Sequence, residues 1–157
     1  MFVERSAGAI VGIFSVRQYP GQEELSDDHP DLVALALKRQ IRDRLGEVSA
    51  ELARRNAAGF AYGDHVYQLD NASQARITSV ALIASVTPQD WPSDFVFITA
   101  DNQSVPFKPD GFLAFATAAF AAVVKRRLNA RALKDALNDA ADEKALAAID
   151  VTKGWDR

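Results

Sequence analysis

The chain has 157 residues, of which 48% are hydrophobic, 25% charged and 9% aromatic, with a formal net charge of −3. This lies close to the globular average and excludes a collagenous, fully disordered or membrane-embedded chain. There is no cysteine, so a disulfide scaffold, a thiolate zinc site and a cysteine nucleophile are excluded as well.

Other features of the composition narrow the reading. Alanine fills 28 positions, and because it loses no side-chain entropy in a helix the chain leans helical. The near balance of 18 bases and 21 acids argues against nucleic-acid binding. The longest apolar-rich stretch, Phe112 to Val124, stops at Lys125-Arg126-Arg127 and is too short for a membrane span, so no membrane insertion is expected. Glu4 and Arg5 interrupt the first apolar run, so no signal peptide is expected.

In chain order, Phe2 to Glu4 and Ile10 to Val16 are β-prone runs around Ser6-Ala7-Gly8 and predict a hairpin. Tyr19-Pro20-Gly21 breaks regular structure, and Glu23 to Asp28 form an acidic connector. Pro30 suits a first helical turn that Asp28 or His29 caps. From Asp31 to about Ala57 only Gly46 opposes a helix, and Leu37, Ile41, Leu45, Val48 and Leu52 form an apolar stripe. A helix of that length either packs within its chain or self-associates through this stripe, as a dimeric or trimeric coiled coil. Gly59 ends it, and Phe60 to Tyr62 and His65 to Leu69 form a hairpin about Gly63-Asp64. Asp70 caps a helix from Asn71 to about Val86.

Pro88 and Pro92 bracket Trp91 in a loop, and Phe95 to Thr99 pairs with Ser104 to Phe107 around an Asx-rich turn. Pro109 opens a second long helix, to about Ala140, with Phe112, Phe115, Ala116, Ala119, Phe120 and Val123 as its buried stripe. Asp142 caps a short final helix containing Leu146 and Ile149. The expected architecture is α+β: two long helices, shorter helices and small antiparallel β-hairpins. Residues 1–30 are read as a β-rich leader with an acidic connector and 31–157 as a helix-rich domain.

Charge is unevenly distributed. Residues 1–31 carry six acids against two bases, and residues 38–55 carry six bases against three acids. Attraction between an acidic arm and a basic helix is one use of this asymmetry, and solvated helix faces are the other. His29 and His65 lie in different elements without further ligands at metal spacing, so no metal site is expected. No nucleophile elbow, phosphate loop or dinucleotide fingerprint is present, and Asp101-Asn102 reads as turn chemistry. Neither catalytic residues nor a cofactor is predicted. Tyr62, Tyr67, Trp91, Phe95, Phe97 and Trp155 cluster in hairpins, loops and the terminal segment, where they either plug a core or serve recognition. Tyr62, Tyr67, Trp91, Phe95 and Trp155, with Arg42 and Arg54 of the first long helix, are the candidate partner-interface residues.

Gly59 to Gln74 (GFAYGDHVYQLDNASQ), Trp91 to Phe107 (WPSDFVFITADNQSVPF) and Ala132 through Trp155 resemble a domain of unknown function found in tailed-bacteriophage and prophage tail and tail-fibre-region proteins. The resemblance covers about residues 40–155. It departs from the pattern at Lys108, where similar sequences often have a threonine or serine cap. It implies a non-enzymatic tail-associated structural protein or fibre assembly and attachment factor. Its partners would be other tail or tail-fibre proteins, in the virion tail or in the host bacterial cytoplasm during assembly. A glycan- or receptor-binding fibre module and a small phage-encoded hydrolase are the alternatives.

Overall fold

The computed structural model describes residues 1–155. Ala7 and Gly8 both have positive φ (50° and 82°), the geometry of a two-residue turn that matches strand twist, and they join β1 (Phe2–Ser6) to β2 (Ala9–Phe14). A register shift between Glu4 and Arg5 bulges the pair. The acidic connector contains a third strand, β3 (Glu23–Glu24), antiparallel to β1, so the sheet order is β2-β1-β3. Arg5 ties this sheet to the next element through 2.6 Å contacts to both Glu23 and Asp31. Beneath, Val3 and Leu25 pack on Leu32.

Helix α1 runs from Pro30 to Ala58. His29 is its N-cap, with Nδ1 accepting the Asp31 N–H at 3.2 Å. Gly59 stops the helix with φ +83°, and a Cβ there would lie 2.3 Å from the Tyr67 carbonyl oxygen. Strands β4 (Phe60–Tyr62) and β5 (His65–Tyr67) pair across Gly63, whose φ of +58° meets the turn's demand. Helix α2 (Asn71–Val86) is capped by Asp70, which accepts the Ser73 N–H and hydroxyl at 3.0 and 2.9 Å. A single 3-10 turn, Pro88–Asp90, leads to the hairpin of β6 (Val96–Ile98) and β7 (Ser104–Pro106). Helix α3 spans Pro109–Asn138, and α4 spans Glu143–Ala147 with Asp142 as its cap.

The chain is thus α+β, as its sequence predicts. The central element is α3. Its first half carries Phe112, Phe115, Ala119 and Val123 into an aromatic core built with both hairpins and α2. Its second half carries Ala130 and Leu137 into another core with Val48, Leu146, Val151 and Trp155. The stripe Leu37, Ile41, Leu45, Val48 and Leu52 lies against this second core, so it packs within the chain, on α3 and the C-terminal segment. Phe120 departs from expectation: it is 70% exposed and takes no part in the buried stripe. At 100° per residue it sits well round the helix from Phe112 and Ala119, on a side that the described residues leave largely open.

Candidate functional site

The aromatic residues proposed for recognition converge, but they converge inward. In the hairpins side chains alternate across the strand, so Tyr67, Phe95 and Phe97 point one way and Val66, Val96 and Ile98 the other. The first set meets α3. Tyr67 is 1% exposed with its ring centroid 4.6 Å from that of Phe115. Burial, and secondarily the nearby Tyr62, raises its phenol pKa. Tyr62 approaches Phe115 edge-on at 5.4 Å. Trp91 and Phe95 are half-buried, 4.4 Å apart, both against Phe112. The Trp91 indole N–H donates to the Phe107 carbonyl at 2.9 Å.

Trp155 lies elsewhere, 2% exposed in the second core, with its indole N–H donating to the Val151 carbonyl at 2.9 Å. Tyr67 and Trp155 are therefore core residues and not available to a partner. The reason is burial: each ring gains more from filling the space against α3 or α1 than a loop position implies.

The basic helix face is also divided. Arg42 is exposed beside Asp43 at 3.3 Å, and Arg54 forms a two-pronged pair with Glu51 at 2.7 Å. Arg55 also holds Glu51, and these two guanidinium groups lower the Glu51 pKa to about 2. Arg44 and Arg55 instead reach across to the Ile149 and Thr152 carbonyls and pin the C-terminal segment on α1. Arg42 and Arg54 stand about 18 Å apart along the helix, and the structure does not gather them with the aromatic residues. The acids of the N-terminal arm meet bases of the same arm: Glu23 and Asp31 pair with Arg5, and Glu24 with Arg17.

Arg126 is a residue that the sequence hides. Set in the Lys-Arg-Arg run that ends the apolar stretch, it is buried and donates to the Arg55 and Gly59 carbonyls at 2.9 and 2.6 Å and to Asn56 Oδ1 at 3.3 Å. It thereby satisfies the carbonyl end of α1, which a helix leaves without internal partners.

The Asp101-Asn102 turn is held by its own side chains. Asp101 accepts from the Thr99 hydroxyl and from Gln103, while Asn102 takes the left-handed turn position at φ 62°. His65 stands edge-on to Tyr67 at 6.3 Å. Among the described residues, no group of three or more His, Asp or Glu side chains is placed to hold a metal ion. Nor is any described helix long and apolar enough to cross a membrane.

Exposed large apolar side chains among the described residues are spread over the N-terminal sheet, the end of α2, the hairpins and α3, and two of these surfaces bear on partner contact. One is the outer face of the hairpins, with Val66, Val96 and Ile98; the Ala100 N–H donates to the Val66 carbonyl at 2.8 Å and links the two hairpins. The other is a groove of about 250 Å³ between α2 and α3, bordered by Gln74, Thr78, Phe120, Val124 and Arg127. Strand alternation separates the first set from the aromatic residues. A second apolar row on α3 is the sequence signal for the other surface.

The family described as "Domain of unknown function (DUF4376)" matches residues 38–152, nearly three quarters of the chain, and the chain belongs to that family. The matched region takes in most of α1, both C-terminal hairpins and helices α2 to α4; the N-terminal sheet lies outside it. No curated protein and no solved structure matches the chain.

Proposed function

We propose that this protein is a non-enzymatic component or assembly factor of a bacteriophage or prophage tail, working through contacts with other tail or tail-fibre proteins. The resemblance of residues 59–74, 91–107 and 132–155 to tail-region sequences supplies the context. The structural support is the outward apolar face of the paired hairpins, where Val66, Val96 and Ile98 are exposed on a rigid support. Such an exposed apolar patch suits a protein partner. The rings that would stack on a sugar are turned against one another instead, which favours protein contact over glycan binding.

The test is a pull-down of flanking tail proteins with wild-type protein and with a Val96→Asp/Ile98→Asp variant, alongside mass spectrometry of purified particles. The expected result is recovery of a tail protein by the wild type, its loss with the variant, and an unchanged melting temperature. Normal tails and full infectivity without the gene, with no tail partner recovered, would overturn the reading.

A further inference from the structure

Helix α3 carries two apolar rows. The first, from Phe112 to Ala130, is buried. The second, apolar except for Thr117, is Leu113, Thr117, Phe120, Val124 and Leu128, at successive spacings of 4, 3, 4 and 4, confined to a sector about 80° wide and about 22 Å long. Among the described residues its most prominent members stay largely uncovered: Phe120 is 70% exposed and Leu128 66%. The Arg127 guanidinium donates to Gln74 at 3.3 Å, which sets α2 beside this row.

The molecule also exposes more surface than a compact monomer, enough to accommodate an interface without fixing its place. A compact monomer of 17.1 kDa exposes about 7,800 Å². This chain exposes 10035 Å². The excess comfortably exceeds the ~800 Å² per partner that a standard interface covers.

The pattern also specifies how a second copy fits. When two α3 helices lie antiparallel about a two-fold axis between Phe120 and Ala121, Leu113 of one faces Leu128 of the other, and Thr117 faces Val124. In the same register Asp110, at the start of the row, faces Arg131, at its end, which within its own helix pairs with Asp135 at 2.9 Å. The row is complementary to its own reverse in both size and charge, as an isologous interface requires. The groove between α2 and α3 provides a recess beside Phe120 for packing of knobs into holes. We propose that the protein forms a two-fold homodimer through this antiparallel α3 face. The interface is separate from the Leu37-to-Leu52 stripe, which is occupied within the chain, and from the hairpin face assigned to a tail partner.

Sedimentation equilibrium of the full chain, in wild-type, Phe120→Asp, Leu128→Asp, Asp110→Arg, Arg131→Asp and Asp110→Arg/Arg131→Asp forms, tests this. Wild type is expected to dimerise with a Kd below about 10 μM, and either apolar-to-Asp change to raise it about 100-fold while dilute samples keep wild-type circular dichroism. Each single charge reversal sets two like-charge pairs against each other and is expected to weaken the dimer about 5-fold, with the double reversal returning it to within about 2-fold of wild type. A wild type that stays monomeric at high concentration, a dimer untouched by both Asp variants, or a double reversal no better than the singles would each overturn the proposal. The hairpin variant Val96→Asp/Ile98→Asp should dimerise as wild type does, so failure of this interface and failure of the tail-partner reading are distinguishable.

Discussion

Phe115 and Phe120 lie five residues apart on one helix, and the structure assigns them opposite energetics. The Phe115 ring has six aromatic neighbours, Phe60, Tyr62, Tyr67, Phe97, Phe107 and Phe112, with centroids 4.6 to 5.7 Å away. It has no solvent exposure, and the rings around it come from two hairpins and α3 itself, so the site cannot collapse when the ring is removed. Phe115→Ala should therefore fall at the upper end of the range for such changes, about 4–5 kcal/mol, combining lost transfer free energy with a cavity. That is a large share of the roughly 5–15 kcal/mol that holds a domain folded. With m near 2–2.5 kcal/mol/M, the urea midpoint should fall by about 2 M. Phe120→Ala, measured by the same circular-dichroism titration at sub-micromolar concentration, should cost less than about 0.5 kcal/mol. A cost below about 1.5 kcal/mol for Phe115→Ala, or equal costs for the two, would refute the division of α3 into a buried and an open face.

Arg126→Met removes the donors that cap α1 and should cost about 2–4 kcal/mol in the same titration, with Arg126→Lys recovering only part, because an ammonium lacks the planar fork that reaches the Arg55 and Gly59 carbonyls together. Gly59→Ala places a Cβ against the Tyr67 carbonyl at a positive φ and should cost more than about 2 kcal/mol, read as a lower melting temperature. Glu51 has a folded pKa depressed to about 2, so its contribution is present above the unfolded carboxylate pKa and is lost as pH falls through about 2. Stability measured from pH 5 down to 2 should thus fall less steeply for Glu51→Gln than for wild type, and parallel slopes would show that the arginine pairs carry no net stabilisation.

Much of the fold is legible locally. Asp70, Pro109 and Asp142 mark helix starts through capping and fixed φ, and Gly63 marks its turn because few residues accept that backbone angle. What is not legible depends on distant partners. Glu23 and Glu24 have little strand propensity of their own and read as a connector; they pair because the Leu25 N–H reaches the Met1 carbonyl and Val3 aligns opposite Glu23. Periodicity groups Phe120 with its apolar neighbours, yet α3 has two apolar faces and only the positions of α2 and the hairpins decide which is covered. Alternation likewise sorts Val66 from Tyr67 but not which of them faces the helix. The burial of Arg126 follows from the end of α1, some seventy residues earlier, and no local pattern encodes it.

Helix α1 joins the N-terminal sheet, seated on Leu32, to the second core, which it enters at Leu37; the family match begins at residue 38, one position beyond. The sheet thus rides on the first turns of α1 as on a short spoke, and its direction relative to the second core is set by the number of residues between the two seats. One residue inserted there would swing the sheet by about 100° around the spoke and advance it about 1.5 Å, breaking its alignment with everything below. Seven would bring it back to nearly the same bearing, about 10 Å further out. A lineage that lengthens this spoke in sevens can move its N-terminal unit outward like a drawn telescope, while the domain beneath stays unaltered.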